Sequence, residues 1–290
     1  MEEAEALLRG AGLPIELLQL EGGALEGDLL RLRIGPLRLL RIRTSRPLHV
    51  AGPKPSGRQL VTLSLAGTER VEPLRAHGHL LPATSLFGLD CRGEIHLTTP
   101  AASELAVVAI DRERFGLWAE RLGAEVLADG GPGANWLPLD PRRFEGLRRS
   151  LRRLFTVPEA NPRALATGGW ARLAVEDLMP LLLEALVHGS QRQQSLRRPP
   201  ARIELVKLAQ RWMREHPQQP ISLTSLCREV HAGRRSLIQG FREHLGRGPM
   251  AFLKLQRLHG VRRQLLWSPR LDSRVLARSF HLLSGAGAPD

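Results

Sequence analysis

The spacing of apolar residues changes once along this chain, and that change limits what the chain can fold into. From residue 29 to 110 apolar side chains come in short runs closed by turn chemistry: 29–34 before Gly35-Pro36, 37–42, 60–65 before Ala66-Gly67, then 80–81, 95–97 and 105–110. Alternation at Leu30, Leu32, Ile34 and at Leu37, Leu39 predicts antiparallel strands with one covered face. Many short strands at close spacing predict a sandwich or a small barrel. From Asp111 onward the period is near 3.6. It predicts helices over 111–122, closed by Gly123, over 141–155, and over 167–188, closed by Gly189; the first thirteen residues also read as helix. The third of these is apolar enough to suit a packing or subunit-contact helix. The polar stretch 190–200, ending in Pro199-Pro200, predicts a linker.

Charge divides the chain at the same place. The net charge is +13, yet residues 1–190 carry 23 basic and 23 acidic side chains, whereas residues 191–290 carry 19 and six. The whole surplus lies in the last hundred residues. A domain-sized excess of arginine beside a neutral domain is the electrostatic footprint of a phosphate-rich partner, because each neutralised phosphate releases condensed counterions. No run of eighteen apolar residues predicts a membrane span, and the acidic start, Met1-Glu2-Glu3-Ala4-Glu5, differs from a basic leader. Two cysteines 136 positions apart, Cys91 and Cys227, give neither a disulfide framework nor a zinc spacing, which fits a reducing cytoplasm.

Beyond the linker the helical signals become specific. Residues 202–216 place Leu205, Leu208 and Trp212 on one stripe, with Val206, Ala209 and Met213 beside it, and stop at Pro217. Ser222 is a predicted N-cap, with Ile221 stapled onto Leu226. A short helix to about Val230 follows, with Leu223, Leu226, Cys227 and Val230 inward, then the turn His231-Ala232-Gly233. Arg234–Leu245 aligns Leu237, Phe241 and Leu245 and ends at Gly246. Two short helices joined by a glycine-containing turn predict a helix-turn-helix, whose second helix enters a major groove. With the stripe committed to the core, Arg234, Arg235, Ile238, Gln239 and Arg242 remain outward, with Ser236 on the flank. Arginine and glutamine pair bidentately with guanine and adenine, and isoleucine contacts the thymine methyl.

The run Leu237, Phe241, Gly246, Pro249, Arg257, Leu258, Val261, Leu265, with Trp212 and the approach Pro220, Ile221, Leu226, resembles the DNA-binding domain of the AraC/XylS family of bacterial transcription regulators. The resemblance covers residues 201–266. It implies two helix-turn-helix units bridged by a long helix over 249–266, with base-reading positions at Arg235, Ile238 and Gln239. It also implies an α+β chain: an amino-terminal cupin-like antiparallel β-barrel over 1–125 for sensing or dimerisation, a helical extension over 126–189, the linker 190–200, and the helix-turn-helix domain over 201–290. Double-stranded DNA, a small-molecule effector, RNA polymerase and a second copy of the chain are the implied partners, with no cofactor. The sequence departs from the pattern at Gly260, inside the long helix, where glycine costs about 1 kcal/mol relative to alanine. It departs again after Leu266, where 24 residues remain, about half of what a second unit needs. The expectation is an incomplete second unit with weak or half-site binding unless dimerisation compensates.

Two other readings arise from the residues. His77 and His79 share one strand face, and His49, His96, Asp90 and Glu94 could add ligands, as in a metal-dependent cupin-type enzyme; two turn histidines between Pro73 and Pro82 is the plainer reading. The loop Gly130-Gly131-Pro132-Gly133 lacks the Lys-Ser/Thr end of a phosphate loop, and no nucleophile elbow or zincin helix occurs. No catalytic residue is assigned. A decayed regulator with impaired DNA binding is the remaining reading. The paired arginines 142–143, 148–149 and 152–153 read as a solvated helix face among acidic neighbours.

Overall fold

The computed structural model describes residues 2–66, 74–90, 93–124, 127, 131–160, 168–193 and 202–267, with the backbone alone at 2, 158–160, 168–170, 192–193 and 266–267. Two compact units are present, one within residues 3–198 and the other within 199–290. Cys91, most of the expected linker and the segment beyond Trp267 lie outside the described residues.

The first unit opens with α1 (Glu2–Gly10) and continues as strands β1 (Glu16–Gln19), β2 (Gly27–Ile34), β3 (Leu37–Thr44), β4 (Leu48–Pro53), β5 (Arg58–Ser64), β6 (Arg75–Ala76), β7 (His79–Leu80), β8 (Ser85–Phe87), β9 (Glu94–Thr99), β10 (Ser103–Asp111) and, after α2 (Arg112–Arg121), β11 (Trp136–Pro138). Helices α3 (Pro141–Ala160) and α4 (Gly168–Gln193) complete it. All strand pairs are antiparallel, as the alternation predicts. They form two open sheets, ordered β1-β4-β9-β6-β7 and β11-β8-β5-β10-β3-β2. A closed barrel is not seen: β1 and β7 end one sheet, and β11 and β2 end the other, among the described residues.

The larger sheet explains why only part of its sequence alternates. On β10 Leu105, Val107 and Ala109 face the smaller sheet, joining Leu17, Leu48, Val50 and Leu97 in one core. Ala106, Val108 and Ile110 face the other way, against Phe115, Phe144, Leu147, Leu178 and Leu182 of the helices. Both faces are covered, so central strands read as continuous apolar runs. Alternation is clear at β2, an edge strand in which Leu32 and Ile34 are buried and Arg31 and Arg33 are exposed, and at the start of β3, where Leu37 and Leu39 are buried and Arg38 is exposed. The expectation of one covered face thus holds on β2 and the start of β3 but not along the central strands.

Helix α2 starts where Asp111 accepts a hydrogen bond from the Arg114 amide, satisfying one of the free first-turn donors. The arginines of α3 do not form a solvated face throughout. Arg148 is buried and donates to the Ala66 carbonyl at 2.7 Å, Arg152 donates to the Leu65 carbonyl, and Arg143 pairs with Glu184 at 3.2 Å.

The second unit contains α5 (Ile203–Glu215), α6 (Leu223–Glu229), α7 (Arg234–Leu245) and α8 (Pro249–Trp267). Its inward face on α5 differs from the expected stripe. Ile203, Val206, Ala209, Gln210 and Met213 are buried, whereas Leu208 is 44% exposed and Leu205 and Trp212 are half-buried. The two apolar stripes lie side by side on the helix, and packing selects the one carrying Val206. No described helix is long and apolar enough to cross a membrane.

Candidate nucleic-acid interface

Local chemistry fixes both ends of the helix-turn-helix. Ser222 accepts from the Ser225 amide at 3.0 Å while Ser225 Oγ accepts from the Ser222 amide at 2.9 Å, a reciprocal box that opens α6. Ile221 and Leu226 are both buried, as the staple requires. After α6 the chain turns through His231, whose φ is +50°, and Gly233 caps α7. Gly246, at φ +70°, closes α7 in the left-handed conformation that glycine adopts without strain.

The inward stripe of α7 is anchored firmly. Leu237 and Phe241 are fully buried and Leu245 nearly so. The Phe241 ring meets Phe252 of α8 edge-on, with centroids 5.7 Å apart, a favoured aromatic geometry. Against α5 the contact is closer still. A Cβ added at Gly240 would sit 3.0 Å from Val206 Cγ2 and 3.2 Å from Arg202 Cβ. Val206 is fully buried and has few alternative rotamers. Gly240→Val is therefore expected to destabilise the unit by about 1–3 kcal/mol through overpacking. A urea melt followed by circular dichroism checks this; an unchanged midpoint would show that α5 and α7 do not approach this closely.

The opposite face of α7 carries the candidate site. Arg234, Arg235, Ser236, Gln239 and Arg242 are exposed and Ile238 is half-buried; Ser236 lies to one flank of the other five. Their charge is not uniformly free. Glu243, one turn beyond Gln239, accepts from Gln239 Nε2 at 2.8 Å, and Arg202 Nη1 lies 3.1 Å from its Oε1 and 3.2 Å from its Oε2. Burial acts to raise the Glu243 carboxyl, but hydrogen bonds from Gln239 and Arg202 outweigh it and hold the group below the ordinary carboxylate range. Sequence reasoning missed Glu243, Gly240 and Arg202. The i, i+4 spacing of Gln239 and Glu243 was a signal for the first; nothing local in the sequence points to Arg202.

Arg257 of α8 donates to the Gln219 carbonyl, tying the long helix to the segment before α6, and burial lowers its pKa. Gly260 has open space around it, so no packing demand accounts for the missing side chain.

In the first unit a cavity of about 310 Å³ opens between the sheets. Leu13, Ile15, Leu17, Leu60 and Val107 are among its apolar walls; its polar lining includes Asp28 and Arg43 as well as Lys54, whose Nζ donates to Asn135 Oδ1 at 2.8 Å. Of the histidines of the metal reading, His77 and His96 lie with ring centroids 6.0 Å apart. His77 occupies the turn of the β6–β7 hairpin at φ +47°, and His79 lies against Trp136 with centroids 5.7 Å apart, its pKa lowered by burial. His49 and His96 are 4.7 Å apart by centroid on the face of β4 and β9 opposite Val50 and Leu97. Among the described residues no three His, Cys, Asp or Glu groups are placed to hold a metal ion.

No family model matches the chain. It is similar to the Probable thc operon regulatory protein of Rhodococcus erythropolis, 31% identical over 180 residues, a match spanning 58% of this chain. The match covers 50% of that protein, so the chain spans about half the length of this curated relative. Among solved structures it is similar to the AraC-like transcriptional activator CuxR, at 13% identity, 89% of each chain and a TM-score of 0.44. It is also similar to ToxT from Vibrio cholerae, at 10% identity, 89% of each chain and a TM-score of 0.31.

Proposed function

We propose that this chain is a DNA-binding transcription regulator of the AraC/XylS type, which reads a major groove with α7. The carrying observation is the division of that helix. Its inward side is locked by Leu237, Phe241 and the close approach at Gly240, while its outward side presents Arg234, Arg235, Ile238, Gln239 and Arg242. This helix stands in the hundred residues that hold the entire charge surplus. Arg235, Ile238 and Gln239 are assigned to base edges, and Arg234, Arg242 and Ser236 to phosphates and register. The family motif and the name of the Rhodococcus relative support the reading.

The cavity of the first unit is assigned to a compact, largely apolar effector, since aliphatic side chains such as Leu17, Leu60 and Val107 form much of its wall, with polar side chains among them. Effector binding or pairing of two chains then sets how the basic unit is presented to a promoter and to RNA polymerase. Mobility shift of the purified chain with genomic fragments at several salt concentrations tests the function. One fragment class is expected to be retained preferentially, with log affinity falling linearly in log salt by about 0.9 per phosphate contacted. Equal retention of all fragments would identify a regulator that no longer reads its operator.

A further inference from the structure

Gln239 stands on the outward face of α7, yet its amide is hydrogen-bonded, and its partner comes from outside the groove-facing set. Its Nε2 donates to Glu243 Oε1 at 2.8 Å, and the same carboxylate is gripped through both oxygens by Arg202 at 3.1 and 3.2 Å. Arg202 is itself placed by packing, because the start of α5 lies directly against α7 at Gly240. The chain Arg202–Glu243–Gln239 therefore runs from a fixed backbone contact to a predicted base-reading side chain.

The amide group of glutamine is a donor at one end and an acceptor at the other, and a flip of about 180° exchanges them. Adenine recognition needs one order of the two, since the base offers an acceptor at N7 and a donor at N6. With Nε2 turned toward Glu243, one of its two hydrogens is spent. The second hydrogen and both lone pairs of Oε1 remain for a base, in a single order. Glu243 is half-buried and brings negative charge to a surface that must approach phosphates, which disfavours binding to any sequence. A residue with that cost is explained by what it does for discrimination.

We propose that Glu243, held by Arg202, is a positioning residue that fixes the donor–acceptor order of Gln239 and thereby sets the base preference at the position Gln239 reads. The inference rests on the assignment of α7 to the major groove. It deepens that assignment by naming residues that set specificity without touching DNA.

The test compares full-length wild type, Gln239→Ala, Glu243→Ala, Glu243→Gln and Arg202→Ala in binding selections from a randomised duplex library, with affinity for a non-specific duplex measured in parallel. A bidentate glutamine–adenine contact discriminates by roughly 5- to 150-fold. Glu243→Ala is expected to lower discrimination at the Gln239 position by about threefold or more, while non-specific affinity stays level or rises. Glu243→Gln, which keeps an oxygen to accept from Nε2, is expected to restore most of the preference, and Arg202→Ala to weaken it. A purely structural role would lower specific and non-specific binding together. If Gln239→Ala alters one position and Glu243→Ala leaves that position unchanged, the positioning role is overturned while the groove assignment stands. If Gln239→Ala alters no position, the groove assignment itself fails.

Discussion

Phe241→Ala is expected to destabilise the second unit by about 3–5 kcal/mol, the cost of removing a large aromatic side chain from a closed core. The ring is fully buried and meets Phe252, so it joins α7 to α8 as well as filling the space beneath α7. Marginal stability in domains of this size means that such a loss leaves much of the unit unfolded near 37 °C. DNA binding should fall with it. Phe241→Leu keeps most of the volume and is expected to cost less than about 1.5 kcal/mol. Urea melts of the three proteins measure the contrast; a Phe241→Ala midpoint equal to wild type would mean that the stripe is not the core of this unit.

The second large effect is electrostatic. Arg234 and Arg242 flank Arg235, Ile238 and Gln239, the positions proposed to read bases, and are both exposed. If they contact phosphates, the double variant Arg234→Ala/Arg242→Ala releases about two fewer counterions, flattening the slope of log affinity against log salt by about 1.8. Affinity should drop on specific and non-specific DNA alike, with base preferences intact. Fluorescence-anisotropy titrations over a salt series measure both quantities. A variant with the wild-type slope would place these arginines away from the DNA backbone.

The parts of the fold written in local chemistry were legible from the sequence. Ser222 as a cap, Gly246 as a stop and the i, i+4 placement of Leu237, Phe241 and Leu245 each depend on neighbours within a few residues. The structure sets them as that chemistry requires. Strands β2, β3, β5, β9 and β10 were legible for the same reason. How they close was not, because sheet ends are settled by pairing between residues far apart, and short apolar runs are common to sandwiches and barrels alike. Strands β8 and β11, three residues each, are too short to carry a period.

The arginines show the same boundary. Arg148 and Arg152 read as surface charge, yet they bond the carbonyls of Ala66 and Leu65, more than eighty positions away. At the candidate site the six outward residues follow from helix geometry alone. The tie from Arg202 to Glu243 spans 41 positions and appears only once α5 lies against α7. The sequence therefore named the outward face but not the contacts between α5 and α7 that bear on it.

The central claim is that α7 reads base edges. It is tested most directly by determining the base preferences of the wild type and of Arg235→Ala from one randomised duplex library. The account predicts that a single position loses its preference, by about 1–3 kcal/mol, while the others are retained. A variant that keeps every preference, or loses all of them equally, would contradict it.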